Sequence, residues 1–232
     1  MSDRADYAIW LYGSHARGDA DELSDVDLLA VGDVPERELQ GLQERFGEKL
    51  SLSAYSWQEI AAMTDYGSIF LHHVGREGRI LAQHGPRALA FPGTLAHLPR
   101  YRYTSRDLGS FRSSVGDVRE SIAAGGSPSF ELSVLASTIR HSAILGCYVL
   151  GQITFGRTQS LARVIATWEL DEAWVARFSE LYEHVLASQY SDASSWRPDG
   201  CDTARWADFA DELLDRLEVS IEDFDSNLSA PA

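Results

Sequence analysis

Lysine and cysteine are almost missing from this chain. Lys49 is the one lysine beside nineteen arginines, and 35 acidic residues leave a net charge of −15. So acidic a chain disfavours long nucleic acid as a partner, because neutralising backbone phosphates supplies most of that affinity. A cationic small molecule or a basic protein is easier to accommodate. The two cysteines, Cys147 and Cys201, make neither a metal motif nor a disulfide framework. No apolar run reaches 18 residues, so no membrane span and no membrane partner are expected. The first six residues lack a basic and apolar leader pattern. A reducing, cytoplasmic setting is the default expectation. There is no internal repeat and no low-complexity segment. What remains is a chain of 232 residues, 44% apolar, enough for one large or two small domains with a real core.

The most informative stretch runs from Gly13-Ser14 through Ala16-Arg17-Gly18 to Asp25-Val26-Asp27. Before it, residues 7–12 are β-branched and aromatic enough for a buried strand. Gly13 ends that strand, and Ser14 is placed to open a short helix as its N-cap. Backbone amides at a helix start suit a phosphate, and Gly13 has no side chain to block its approach. A second strand is expected over residues 24–31. On a strand, side chains two apart share a face, so Asp25 and Asp27 point the same way, roughly 7 Å apart. Paired carboxylates of this kind can hold Mg²⁺ against substrate phosphates.

These residues resemble the DNA polymerase beta-like nucleotidyltransferase superfamily, whose signature is Gly-Ser, a spacer, then Asp-x-Asp. The similarity is close over residues 7–32 and looser to about residue 84. It is strongest to the branch of antibiotic nucleotidyltransferases and minimal nucleotidyltransferase antitoxins. The resemblance implies an α+β protein, with a small mixed sheet followed by an all-α helical bundle. It implies transfer of a nucleoside monophosphate, AMP as first candidate, from a triphosphate to a hydroxyl of a small molecule or protein. Asp25 and Asp27 would be the catalytic metal ligands, for two Mg²⁺ ions. Gly13, Ser14 and Arg17 would hold the triphosphate, ATP first among candidates; for Arg17, an ion pair with Asp19 or Asp21 is the competing role.

One departure stands out. The superfamily places a third carboxylate on the strand after the first long helix, and here the matching position is Ser51. A hydroxyl is a poor metal ligand and a weak base beside a carboxylate. Three outcomes stay open: two carboxylates with substrate-assisted proton loss, a base from elsewhere such as Glu48, Glu77 or Glu131, or a nucleotide-binding regulatory or antitoxin-like module with little turnover.

The rest of the chain divides readily. A helix is expected over 36–46, a strand over 49–55, a helix from 57 to about 76 with a break near Gly67, and a strand over 79–83. Ser56 and Glu59 form a capping-box pattern. The domains are read as 1–84 and 105–232, with 85–104 as a proline-containing linker. Helices are expected at 105–124, 129–151, 157–167, 171–190 and 203–218. His72 and His73 read as packing at a core edge, Arg140 and His141 as a weak cleft candidate. Tyr101 and Tyr103 could stack on a base or cap the domain junction. Arg100, Arg102, Arg106 and Arg112 could make a local basic patch. Arg177 and His184 have the R-x6-H spacing of the HEPN ribonucleases, but ordinary helix lies between them and chance explains the spacing better. The aspartates of residues 191–202 and 221–225 read as solvated surface.

Overall fold

The computed structural model describes residues 5–22, 24–190 and 200–226. The chain divides into two compact units, Met1–Arg102 and Tyr103–Ala232.

The first unit is a mixed four-stranded sheet with helices. Its strands are β1 (Tyr7–Tyr12), β2 (Val26–Gly32), β3 (Leu50–Tyr55) and β4 (Arg79–His84), in the order β3-β2-β1-β4. β1 pairs antiparallel with β2 and β4, whereas β2 and β3 run parallel. Parallel neighbours need a crossover, and the helix α2 (Glu36–Phe46) supplies it. β1 is therefore a central strand.

Two helices follow β3: α3 (Trp57–Asp65) and α4 (Ile69–Glu77). The capping box at the start of α3 is formed, with Ser56 Oγ accepting from the Glu59 amide and Glu59 accepting from the Ser56 amide at 2.7 Å. The break between α3 and α4 falls at Gly67, which has φ +69; a Cβ there would lie 2.2 Å from the Pro99 carbonyl oxygen. Ala8, Trp10 and Tyr12 of β1 and Leu29 and Val31 of β2 form a core with Ile60, Leu71 and Val74 of these helices.

The expected linker does not hold over most of its length. Pro86–Ala96 is a helix, α5, and it buries Ala88, Phe91 and Leu95 in the same core. Pro86 sits in its first turn, where a missing N–H costs nothing, but Pro92 lies inside it. The prolines hid an apolar i, i+3, i+7 stripe that is a helix signal.

The second unit is all helical over its described residues: α6 (Thr104–Ala123), α7 (Pro128–Val149), α8 (Gln159–Trp168), α9 (Ala173–Tyr190) and α10 (Gly200–Ser226). α7 is long and apolar enough to cross a membrane by length and composition, although polar residues interrupt its apolar run. However, 72% of its apolar window is buried, and it packs against α6, α8, α9 and α10 as the core helix of the bundle. α6 and α10 are tied by two arginine forks. Arg112 reaches Asp215 and Glu218 at 2.8 Å, and Arg119 reaches Asp208 and Asp211 at 2.7 Å. The acidic stretch 191–199 lies outside the described residues.

If α5 is core rather than linker, Phe91→Ala should lower stability in urea unfolding by about 3–5 kcal/mol. Leu89→Ala, on the exposed side of α5, should stay within about 0.5 kcal/mol. Equal small effects from both would restore the linker.

Candidate active site

The site forms where one face of the sheet leaves the core. Along β2 and the two residues before it, Ser24, Val26 and Leu28 are buried while Asp25 and Asp27 are half-buried. This alternation puts both carboxylates on one face, the face that carries Leu29 and Val31 into the core. The strand begins at Val26 rather than Ser24, so Asp25 immediately precedes it. Asp27 sits opposite Tyr12 of β1 on one side and Ser51 of β3 on the other. The position where the resemblance leads one to expect a third carboxylate is thus next to Asp27, and it holds Ser51. Ser53, two residues on, meets the Tyr12 hydroxyl at 3.2 Å.

Gly13 is the hinge of the arrangement. It leaves β1 with φ +70, a conformation that an L side chain rarely adopts. A Cβ on Gly13 would lie 2.4 Å from Asp27 Oδ2. The turn therefore leaves no room for a side chain beside the carboxylate. The five-residue helix that follows, α1 (Gly13–Arg17), begins one residue earlier than expected. Its N-cap is Tyr12, in extended conformation and without a side-chain cap bond, so Ser14 is not the cap but lies within the first turn. The α1 end is closed by Gly18, whose amide donates to the Ser14 carbonyl at 2.8 Å. His15, beside Ser14, has a buried Nε2 without a hydrogen-bond partner among the described residues.

Arg17 has an architectural connection that sequence reading missed. Its Nη1 donates to Glu77 Oε2 at 2.7 Å and its Nε to Asp19 Oδ2 at 3.1 Å. The Asp19 contact was one of two anticipated ion pairs, whereas Glu77 comes from the end of α4. His73 Nε2 donates to the same Glu77 oxygen at 3.0 Å. The His73 ring also meets Tyr12 edge-on at 5.3 Å, beside Phe70 at 5.4 Å. α1 is thereby fastened to α4. The His73–Glu77 half was legible, since i,i+4 side chains meet on a helix; the Arg17 half, 60 residues away, was not.

These contacts set the local electrostatics. Burial alone would raise the Glu77 carboxyl, but hydrogen bonds from His73 and Arg17 outweigh it and hold the group below its ordinary range. Arg17 is shifted upward, burial being outweighed by its bonds to Glu77 and Asp19. Tyr12 is also raised, by burial first and then by the nearby charge of Asp27, partly offset by the bond to Ser53.

Among the described residues, no group of three or more His, Cys, Asp or Glu side chains is arranged to hold a metal ion. Two neighbouring carboxylates remain, and their hard oxygens fit a cation that completes its shell with substrate phosphate and water, as Mg²⁺ does. The other acids considered as bases stand elsewhere. Glu77 is engaged as described, Glu48 is exposed in a turn after α2, and Glu131 is buried in the second unit, where Ser121 donates to it. His72 bonds the Pro99 carbonyl at 3.2 Å and Tyr101 packs on Tyr66 at 6.2 Å. In the second unit Tyr103 lies under Arg106 at 5.4 Å, and His141 meets Ser137 at 3.3 Å. Arg102 donates to the Asp65 carbonyl and Arg112 is paired within the bundle, so the supposed basic patch has separate structural engagements.

Residues 1–64 match the model of the nucleotidyltransferase domain family. The match lies wholly within the first unit. The match includes the turn, both aspartates and Ser51, and ends within α3. Among solved structures, a nucleotidyltransferase-like protein from Exiguobacterium sibiricum 255-15 is 14% identical, with a TM-score of 0.43; the match covers 96% of this chain and 73% of that one. No curated protein matches the chain.

The domain's Glu77 tie makes a pH-dependent expectation. A carboxyl whose folded pKa is depressed contributes stability that is present above its unfolded value, about 4.3, and lost as pH falls through the folded value. Glu77→Gln should therefore cost roughly 1.5–3 kcal/mol at pH 7. The gap to wild type should close below about pH 4 in urea unfolding at stepped pH. A gap independent of pH would mean that Glu77 acts by packing alone.

Proposed function

We propose that the protein is a metal-dependent nucleotidyltransferase that moves a nucleoside monophosphate, AMP as first candidate, from a triphosphate to a hydroxyl of a small molecule or protein. The observation that carries this reading is the close approach of Gly13 to the Asp27 carboxylate, where a Cβ would lie 2.4 Å from Oδ2. It sets a turn suited to phosphate beside a residue suited to metal.

In this reading Asp25 and Asp27 hold Mg²⁺. Bound there, the metal would supply charge neutralisation on the phosphates and on the attacking and leaving oxygens. Gly13 and Ser14 receive the outer phosphates through backbone amides and the serine hydroxyl. Arg17 acts through position: its bonds to Glu77 and Asp19 hold α1, and with it Ser14, at a fixed distance from Asp27. Asp27 orients the reacting end of the triphosphate, and Ser51 and Ser53 offer hydroxyls to the acceptor side. No carboxylate stands at Ser51 to take the acceptor's proton, so proton loss falls to the substrate phosphate or to solvent.

That serine also supports a second reading, a nucleotide-binding regulatory or antitoxin-like module with little turnover. Mg²⁺-dependent pyrophosphate release, measured with each triphosphate and candidate acceptors, separates the two. Asp25→Asn and Asp27→Asn should each abolish release with the fold intact by circular dichroism. Unchanged release in both variants would refute the metal assignment. Ser51→Asp should raise turnover, since a positioned general base is typically worth about 10²–10⁴-fold. A fast wild type that is slowed by Ser51→Asp would show that Ser51 is not the place of a lost base.

A further inference from the structure

We propose that the bundle carries a second, metal-independent ligand site, between α9 and α10, that takes a nucleoside monophosphate. The site is a hollow of about 450 Å³, within the range of small-molecule pockets. Its floor is aromatic. Trp174 stacks on Phe209 at 4.3 Å and tilts against Trp206 at 4.9 Å, so the indole wall is held from behind. Arg177, His184 and Arg205 stand around it, and Glu180 and Asp202 complete its lining. On α9, positions 174, 177, 181 and 184 follow i, i+3, i+7 and i+10, which is one helix face.

The two arginines of the hollow differ from those tied up in carboxylate pairs. Arg17, Arg87, Arg112 and Arg119 are all engaged by carboxylates. Among the described residues, neither Arg177 nor Arg205 forms an ion pair, although the chain carries an excess of 15 negative charges. Arg177 instead lies over the Trp174 ring, 5.1 Å from its centroid. Guanidiniums without carboxylate partners favour a phosphate through charge-assisted bonds. The indoles favour a flat ring. Glu180 and Asp202 disfavour a bare anion, but they can accept from sugar hydroxyls. A nucleoside monophosphate has all three parts, and inorganic phosphate has one. The net acidity counts against a long strand in the same place. The R-x6-H spacing thus places Arg177 and His184 on one hollow, as binding groups.

The test is calorimetric titration of the full chain in EDTA, with AMP, adenosine, inorganic phosphate and a hexa-adenylate RNA as probes. It is run on wild type and on the double variant Asp25→Asn, Asp27→Asn, which removes the proposed metal site of the first unit. AMP should bind one-to-one and equally to both proteins. Adenosine and phosphate should each bind at least about tenfold more weakly, and Arg177→Gln and Arg205→Gln should each weaken AMP by about tenfold or more. Circular dichroism checks the fold of each variant. Absence of AMP binding to the wild type overturns the proposal. So does binding that survives both arginine variants or vanishes in the aspartate variant, and so does RNA binding tighter than AMP. Because the assay excludes metal and turnover, its failure leaves the pyrophosphate-release test of the first site standing.

Discussion

The arrangement depends on a close approach between the Gly13 backbone and the carboxylate of Asp27. Two constraints meet at this glycine. Its positive φ turns the chain out of β1, and its missing Cβ leaves the volume that Asp27 Oδ2 occupies. A non-glycine residue at such φ costs of order 1–3 kcal/mol, and here it would also displace the carboxylate. The antiparallel register of β1 and β2, with Tyr12 opposite Asp27, sets that contact. The parallel register of β2 and β3 then decides which residue flanks Asp27 on the other side, and it is Ser51.

Around this contact the first unit is braced by a further set of side chains. Tyr12 leans on Phe70 and His73 of α4 and touches Ser53 of β3. Arg17 and His73 converge on one oxygen of Glu77. Removing one partner of such a half-buried cluster leaves a desolvated charge behind, so the cluster holds α1 more firmly than surface ion pairs do. A short helix of five residues has little stability of its own; its position comes from these tertiary bonds. The forks between α6 and α10 are different in kind. They are exposed, and pairs of that sort are worth about 0–1 kcal/mol each.

Much of this was readable from residue order. The strand–turn–strand unit and the two aspartates on one face follow from period-two alternation and spacing, whereas reading Ser51 as the place of a third carboxylate came from the resemblance. The order of strands and helices and the helical second half were read from patterning; that the strands would form one mixed sheet came from the resemblance. Three features escaped. α5 was masked by its prolines, although Ala88, Phe91 and Leu95 already spelled a helical face. The bond between Arg17 and Glu77 joins positions 60 apart, and no local pattern reports such a partner. The N-cap at Tyr12 escaped because serine is a strong cap residue, whereas the positive φ of Gly13 begins the turn one residue sooner. The hollow of α9 and α10 lies between: its α9 half was visible as spacing, but its meaning required Arg205 and Trp206 from the next helix.

The most direct measurement is equilibrium binding of a non-hydrolysable ATP analogue to wild type and to Gly13→Ala, each with and without Mg²⁺. Binding to the wild type should require Mg²⁺. Gly13→Ala should remain folded by circular dichroism yet lose the Mg²⁺-dependent component, because the added methyl group occupies the place of the Asp27 oxygen. Equal Mg²⁺-dependent affinity in the two proteins would contradict the coupling of turn and carboxylate on which the proposed activity rests.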